Sequence, residues 1–118
     1  MSEAQEQAAL IQWARLQSGR YPPLRFLHHI PNGGSRHPAE AANLKRQGVK
    51  PGVPDLCLPF PVGGKHGLYI EMKWGKNRPT SAQREWLEGL AALGYATAVC
   101  YSAEEAIDVI KRYLRGKE

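Results

Sequence analysis

The stretch GVPDLCLPFPVGGKHGLYIEMK, residues 52–73, decides how this chain folds. Residues 53–58 make a short apolar strand, and residues 68–73 alternate in the manner of a second one. Between them PFPVGGKHG, rich in proline and glycine, reads as a hairpin connection. Side chains two apart on a strand share a face, so Glu71 and Lys73 emerge together while Ile70 and Met72 turn the other way. Asp55 opens the neighbouring strand, and hairpin pairing carries it alongside Glu71. Two carboxylates that close repel one another unless a cation lies between them. Oxygen ligands with open positions suit Mg²⁺ or Mn²⁺, which keep waters and bind substrate phosphate. A lysine beside such an ion can hold an attacking water and stabilise charge building on phosphorus. The chemistry this supports is phosphodiester hydrolysis. Taken singly, an Asp after a Val-Pro turn and a Glu-x-Lys on a strand face are ordinary solvated charges. Their order and spacing on adjacent strands make them a site.

Outward from that block, the rest of the chain supplies helices. Residues 3–18 read as a helix capped by Ser2, with Gln5 completing a capping box and Gly19 marking the end. Leu10, Ile11 and Ala14, flanked by Trp13, recur on it at helical spacing. Residues 25–30 read as a first strand between Pro22-Pro23 and PNGG. An irregular basic stretch leads on to Lys50, with a short helix around 39–47. After the block, Pro79 and Thr80 open a helix that runs to Leu93, with the stripe Trp86, Leu87, Leu90 and Leu93 and a stop at Gly94. Residues 96–101 form a further strand. Ser102 and Glu105 make a capping box for the last helix, whose stripe is Ala106, Ile107, Ile110, Tyr113 and Leu114. The predicted class is α/β, a mixed sheet flanked by helices.

The 118 residues match the size of one domain, here residues 1–118. No apolar stretch approaches the roughly 20 residues a bilayer span requires, and no signal-peptide pattern opens the chain. Cys57 and Cys100 sit inside apolar runs rather than in disulfide or metal spacing, which fits small buried side chains of a cytoplasmic protein. Sixteen Lys and Arg against eleven acids give a formal charge of +5, a balance that suits a polyanionic partner.

The string PD, fifteen residues, then EMK matches the pattern of the PD-(D/E)XK nuclease superfamily. Together with PNGGSR at 31–36, LKRQGVKPGVPDL at 44–56, GLYIEMK at 67–73, SAQREWL at 81–87 and GYATAVCYSAEEAIDVIKRYL at 94–114, it resembles the VRR-NUC branch, the virus-type replication-repair nucleases. The resemblance implies a restriction-endonuclease-like core and a Mg²⁺- or Mn²⁺-dependent endonuclease acting on DNA, in a bacterial or phage-infected cell. It implies that Asp55 and Glu71 are metal-binding carboxylates, that the Met72 carbonyl is an additional ligand, and that Lys73 is the catalytic lysine. A first-helix glutamate completes the metal site in that family. Glu3 is chosen because it shares a face with Gln7, Leu10, Ile11 and Ala14, and Glu6 is the alternative. Acids in a first turn also complement the helix dipole. Gln83 matches a glutamine placed after the ExK strand, although Thr80-x-x-Gln83 is a capping box in its own right. Asn32 reads as an Asx-turn residue.

Arg36, Lys45, Arg46 and Lys50 lead into the Asp55 strand, and Lys76 and Arg78 leave the ExK strand. With Lys65 in the hairpin they can grip phosphates without reading bases. Lys111, Arg112, Arg115 and Lys117 read as the charge bias of a helix C-terminus. Trp74 stacks on a base or packs a subunit interface. His28, His29, His37 and His66 have no zinc spacing, and at most one of the adjacent pair His28 and His29 faces the site. GGKHG lacks the spacing and ending of a P-loop, so no nucleotide cofactor is expected. Small stand-alone relatives imply a structure-selective nuclease, a Holliday-junction resolvase acting as a homodimer on four-way junctions. Symmetric incision needs two sites related by a two-fold axis, and the first helix, Trp13 and Trp86 are candidate partner faces. A flap, single-strand or nicked-duplex nuclease is the nearer alternative, and a catalytically silent DNA-binding module the more distant one.

Overall fold

The computed structural model describes residues 1–31 and 37–116. Asn32, Arg36 and Lys117 lie outside them. In chain order the described elements are α1 (Glu3–Gln17), a 3₁₀ helix (Pro22–Phe26), β1 (His28–His29), α2 (Pro38–Arg46), β2 (Leu56–Leu58), β3 (Leu68–Met72), α3 (Ser81–Ala92), β4 (Ala96–Cys100) and α4 (Ala103–Leu114). The strands form one mixed sheet in the order β1-β2-β3-β4. The β1/β2 and β2/β3 pairs are antiparallel and β3/β4 is parallel, with α3 as the crossover between the parallel strands.

Register sorts the residues onto two faces. Leu56 pairs with Ile70, Leu58 with Leu68, and Met72 with Cys100. These six side chains are buried in one core with Leu10 and Ala14 of α1, Leu24 of the 3₁₀ helix, and Ala106, Ile110 and Tyr113 of α4. The periodicity read from the sequence for α1 and α4 is thus the face that covers the sheet. Glu71, one residue out of phase with Ile70 and Met72, turns to the opposite face, toward α3. Cys57 and Cys100 are free, buried thiols, and burial pushes Cys100 up to about 12. No helix among the described residues is long and apolar enough to cross a membrane.

The expected first strand, 25–30, shrinks to His28–His29. Pro22 and Pro23 occupy the opening positions of a 3₁₀ helix, where a fixed φ and a missing N–H do no harm, and that helix consumes Arg25 and Phe26. The second strand likewise begins at Leu56 rather than 53, because Pro54 has no N–H for a ladder. Leu93 is not part of a buried stripe: it caps α3 and is 68% exposed, while Gly94 at φ 97° ends the helix as read. The α1 cap forms by half, with Gln5 N–H donating to Ser2 Oγ at 3.2 Å. At α4, Glu105 accepts from Tyr101 N–H at 3.0 Å, one residue before the expected partner Ser102.

Gly52 positions the loop that delivers Asp55. Its φ is +90°, and a Cβ there would lie 2.6 Å from the carbonyl carbon and oxygen of Ala82 in the first turn of α3. Only glycine permits both the backbone conformation and the contact. We expect Gly52→Ala to lower stability by about 2 kcal/mol or more, since strain and overpacking add. The midpoint of urea unfolding should fall accordingly, whereas Gly64→Ala, at a hairpin position with open space around it, should cost clearly less.

Candidate active site

The hairpin register that places Leu56 opposite Ile70 brings Asp55 opposite Glu71, just before β2 begins. The clamp is explicit: Met72 N–H donates to Asp55 Oδ2 at 2.7 Å. On the other side of β3, Lys73 N–H donates to Cys100 O at 2.9 Å. Ladder bonds alternate along a strand, so the main-chain groups of Met72, carbonyl included, point to the Asp55 side.

Glu71 is the one buried charged residue among those described, at 2% exposure. Its Oε2 accepts from Gln83 Nε2 at 3.1 Å and lies 3.7 Å from Lys73 Nζ. Its Oε1 is buried with no donor directed at it, and the carboxyl lies within hydrogen-bonding reach of Asp55. A buried carboxylate oxygen left bare costs several times what an average hydrogen bond contributes. Burial foremost, and then the Asp55 carboxylate beside it, push Glu71 up to about 8. Lys73 pulls in the opposite direction, and Glu3 adds a further push upward.

Gln83 makes both the capping box and a contact with Glu71. The Thr80 capping box is complete: Gln83 N–H donates to Thr80 Oγ1 at 3.2 Å, and Gln83 Oε1 accepts from Thr80 N–H at 2.8 Å. That second bond commits the amide oxygen and turns the amide nitrogen toward Glu71. The helix cap therefore sets the amide orientation that meets Glu71.

The first-helix acids separate as well. Glu6 Oε1 accepts from Ala103 N–H at 2.8 Å, at the first turn of α4, and so ties α1 to α4. Glu3 is the acid whose charge reaches Glu71. Among the described residues no three His, Cys, Asp or Glu side chains gather closely enough to enclose a metal by themselves. The close pair is Asp55 with Glu71, and Glu3 stands further off. This donor set still fits a hard divalent cation. It offers two carboxylates and a main-chain carbonyl, with one buried carboxylate oxygen unanswered, and such ions complete their shells with water and phosphate.

The cations divide by position. Lys76 and Arg78 are exposed on the segment between β3 and α3, which Tyr101 pins by donating its hydroxyl to Asn77 O at 2.8 Å. Lys50, also exposed, lies two residues before Gly52 at the same end of the sheet. Lys45 and Arg46 close α2, a helix that buries none of its residues, and Arg46 Nη2 donates to Asn43 Oδ1 at 2.9 Å. Lys65 is a correction: it sits at the hairpin tip, across the Val62–Lys65 bridge, at the far end of the sheet from Asp55. Trp74 is 39% exposed directly after Lys73. Trp13 and Trp86 are half-buried, with the Lys111 ammonium 6.0 Å from the Trp13 ring. His29, which residue spacing left without a role, touches Asp55: its Nδ1 lies 2.8 Å from the Asp55 main-chain oxygen. A bond to a main-chain acceptor leaves no spacing pattern in a sequence.

The raised Glu71 has a measurable consequence for the metal-free protein. The folded state keeps its proton up to about pH 8, while the unfolded chain loses it near the ordinary value of 4.5. The folded state binds more protons across that window, so stability is complete below about pH 4.5 and declines as pH rises toward 8. In EDTA we expect the melting temperature attributable to this group to drop by at least about 5 °C between pH 5 and pH 8. Glu71→Gln should flatten that part of the profile. An unchanged profile in the variant would assign the slope to other groups.

Two comparisons place this chain among known proteins. The model of the VRR-NUC domain family matches residues 1–104. A solved structure described as a VRR_NUC domain protein superposes with a TM-score of 0.85 at 36% identity, covering 100% of this chain and 92% of that one. No curated protein sequence matches. A family match across most of the chain, agreeing with a structural match at this identity, identifies the chain as a member of the VRR-NUC family, nucleases of the PD-(D/E)XK type.

Proposed function

We propose that the protein is a divalent-metal-dependent DNA endonuclease whose active site is the cluster of Asp55, Glu71, Lys73 and Gln83, with Glu3 in support. The observation that carries the reading is the bare, buried Oε1 of Glu71 beside a second carboxylate. Without a cation this pair is tolerated only with Glu71 protonated, whereas a divalent ion would let both carboxylates ionise.

In this reading Asp55, Glu71 and the Met72 carbonyl hold Mg²⁺ or Mn²⁺, and Glu3 adds negative charge from α1. The ion, when bound, supplies Lewis acidity toward the scissile phosphate and toward water. Lys73 reaches the Glu71 carboxylate from the same strand face, where its ammonium orients the attacking water and offsets charge on the phosphoryl oxygens. Gln83 fixes the Glu71 carboxylate through Oε2 and keeps Oε1 turned inward. Lys50, Lys76 and Arg78, at the same end of the sheet, grip backbone phosphates on either side, and Lys45 and Arg46 extend that grip along α2.

Each copy carries one such cluster, and a four-way junction presents two equivalent strands. We therefore read the substrate as branched DNA and the working form as a homodimer that resolves Holliday junctions by paired cuts. Flap or single-strand cleavage is the outcome that would keep the chemistry and remove the junction.

Labelled four-way junction, flap, splayed-arm, single-stranded and linear duplex DNA, each incubated with Mg²⁺, Mn²⁺ or EDTA, test this directly. We expect paired, metal-dependent cuts confined to the junction and a dimer in sedimentation at micromolar concentration. A monomer under those conditions contradicts paired resolution. Asp55→Ala and Lys73→Ala should each lower cleavage at least about a hundredfold with folding intact. Gln83→Ala should lower both activity and stability, because it breaks the α3 cap as well, at about 1 kcal/mol. Tight DNA binding without any cleavage would favour a silent binding module.

A further inference from the structure

We propose that His29 is a positioning residue of this site, holding Asp55 in place through its main chain. The inference rests on the reading of Asp55 as a metal-site carboxylate. Asp55 stands beside Glu71, just outside the β2 ladder, on a loop whose Pro54 offers no N–H. Two bonds from the neighbouring edge hold it there. Ile30 N–H donates to Asp55 O at 2.7 Å, and His29 Nδ1 lies 2.8 Å from the same oxygen. With Met72 N–H on Oδ2, the residue is gripped from β1 by its carbonyl and from β3 by its carboxylate.

The contact determines the state of the imidazole. A carbonyl oxygen only accepts, so the 2.8 Å contact is attractive only if Nδ1 carries the proton. The Gln7 amide of α1 approaches the same nitrogen at 3.0 Å. Turned so that its oxygen faces Nδ1, that amide becomes a second acceptor, and both contacts are then favourable. Gln7 lies one helical turn after Glu3, so the chain of contacts runs from the face of α1 that carries Glu3, through His29, to Asp55. His28, its neighbour, turns aside and places Nδ1 2.9 Å from Phe26 O. Groups that orient a metal ligand without touching the metal typically contribute tenfold to a hundredfold in affinity or activity.

Isosteric substitution separates this role from other uses of the ring. Asparagine sets its amide nitrogen the same number of bonds from Cα as Nδ1, whereas glutamine sets it where Nε2 lies. We expect His29→Ala and His29→Gln to weaken Mn²⁺ binding and cleavage by about tenfold or more, and His29→Asn to recover most of that loss. Melting temperatures of the three variants in EDTA measure any general destabilisation. ¹⁵N NMR of the wild-type imidazole at pH 8 should show a protonated Nδ1. Rescue by Gln instead of Asn, Mn²⁺ affinity indifferent to all three changes, or a protonated Nε2 each overturns the proposal. A wild-type protein that binds no Mn²⁺ and cuts no DNA overturns the active-site reading itself, and the NMR result then still reports on the His29 contact.

Discussion

A carboxylate buried on an interior strand, with one oxygen bonded and the other bare, is the constraint to which the rest of this structure answers. Glu71 is stripped of water at 2% exposure and stands next to Asp55. Without a cation such a pair spreads apart, admits solvent or keeps a proton, and here Glu71 keeps its proton up to about pH 8. The two carboxyls stay together because each is held from a different direction. Met72 N–H and the β1 edge fix Asp55, Gln83 fixes Glu71, and Lys73 stands 3.7 Å away as the opposing charge. The site is preorganised by elements far apart in sequence, and its charge is balanced only in part by the protein itself.

The supporting elements serve structure and site together. Thr80 and Gln83 cap α3, and the same cap aims the Gln83 amide at Glu71. Gly52 lets the Asp55 loop lie against Ala82, one residue before Gln83, so the loop and the helix that carry two site residues share a backbone contact. Glu6 bonds the first turn of α4 and ties α1 to it, which leaves Glu3 as the α1 acid facing the sheet end. Removing any of these groups costs stability and geometry at once, so mutational loss of activity here must always be read beside a measure of folding.

Much of this was legible from residue types and spacing. Period-two alternation over 68–73 and apolar stripes in α1 and α4 located the core, and the PD and ExK strings pointed to the cluster of Asp55, Glu71 and Lys73 that the fold brings together, because both depend on local repeat and on strand pairing through one hairpin. The features that could not be read had long-range causes or competing local ones. The first strand lost its opening residues to a 3₁₀ helix, since Pro22-Pro23 outweighs the extended tendency of the residues after it. Lys65 looked like one of the site cations until register placed the hairpin tip at the opposite end of the sheet. Helical spacing favoured Glu3 over Glu6 only by shared face, and the bond from Ala103 N–H to Glu6 gives Glu6 a separate partner at α4. His29 acts on a backbone oxygen, an interaction with no sequence signature.

The proposed chemistry turns on Glu71 receiving a cation. Mn²⁺ binding monitored by electron paramagnetic resonance, in wild type and in Glu71→Gln, tests that without reference to any DNA. We expect saturable binding to the wild-type chain and a loss of affinity of about tenfold or more in the variant, with the fold retained by circular dichroism. Equal affinity in both proteins, or no binding to either, would contradict it.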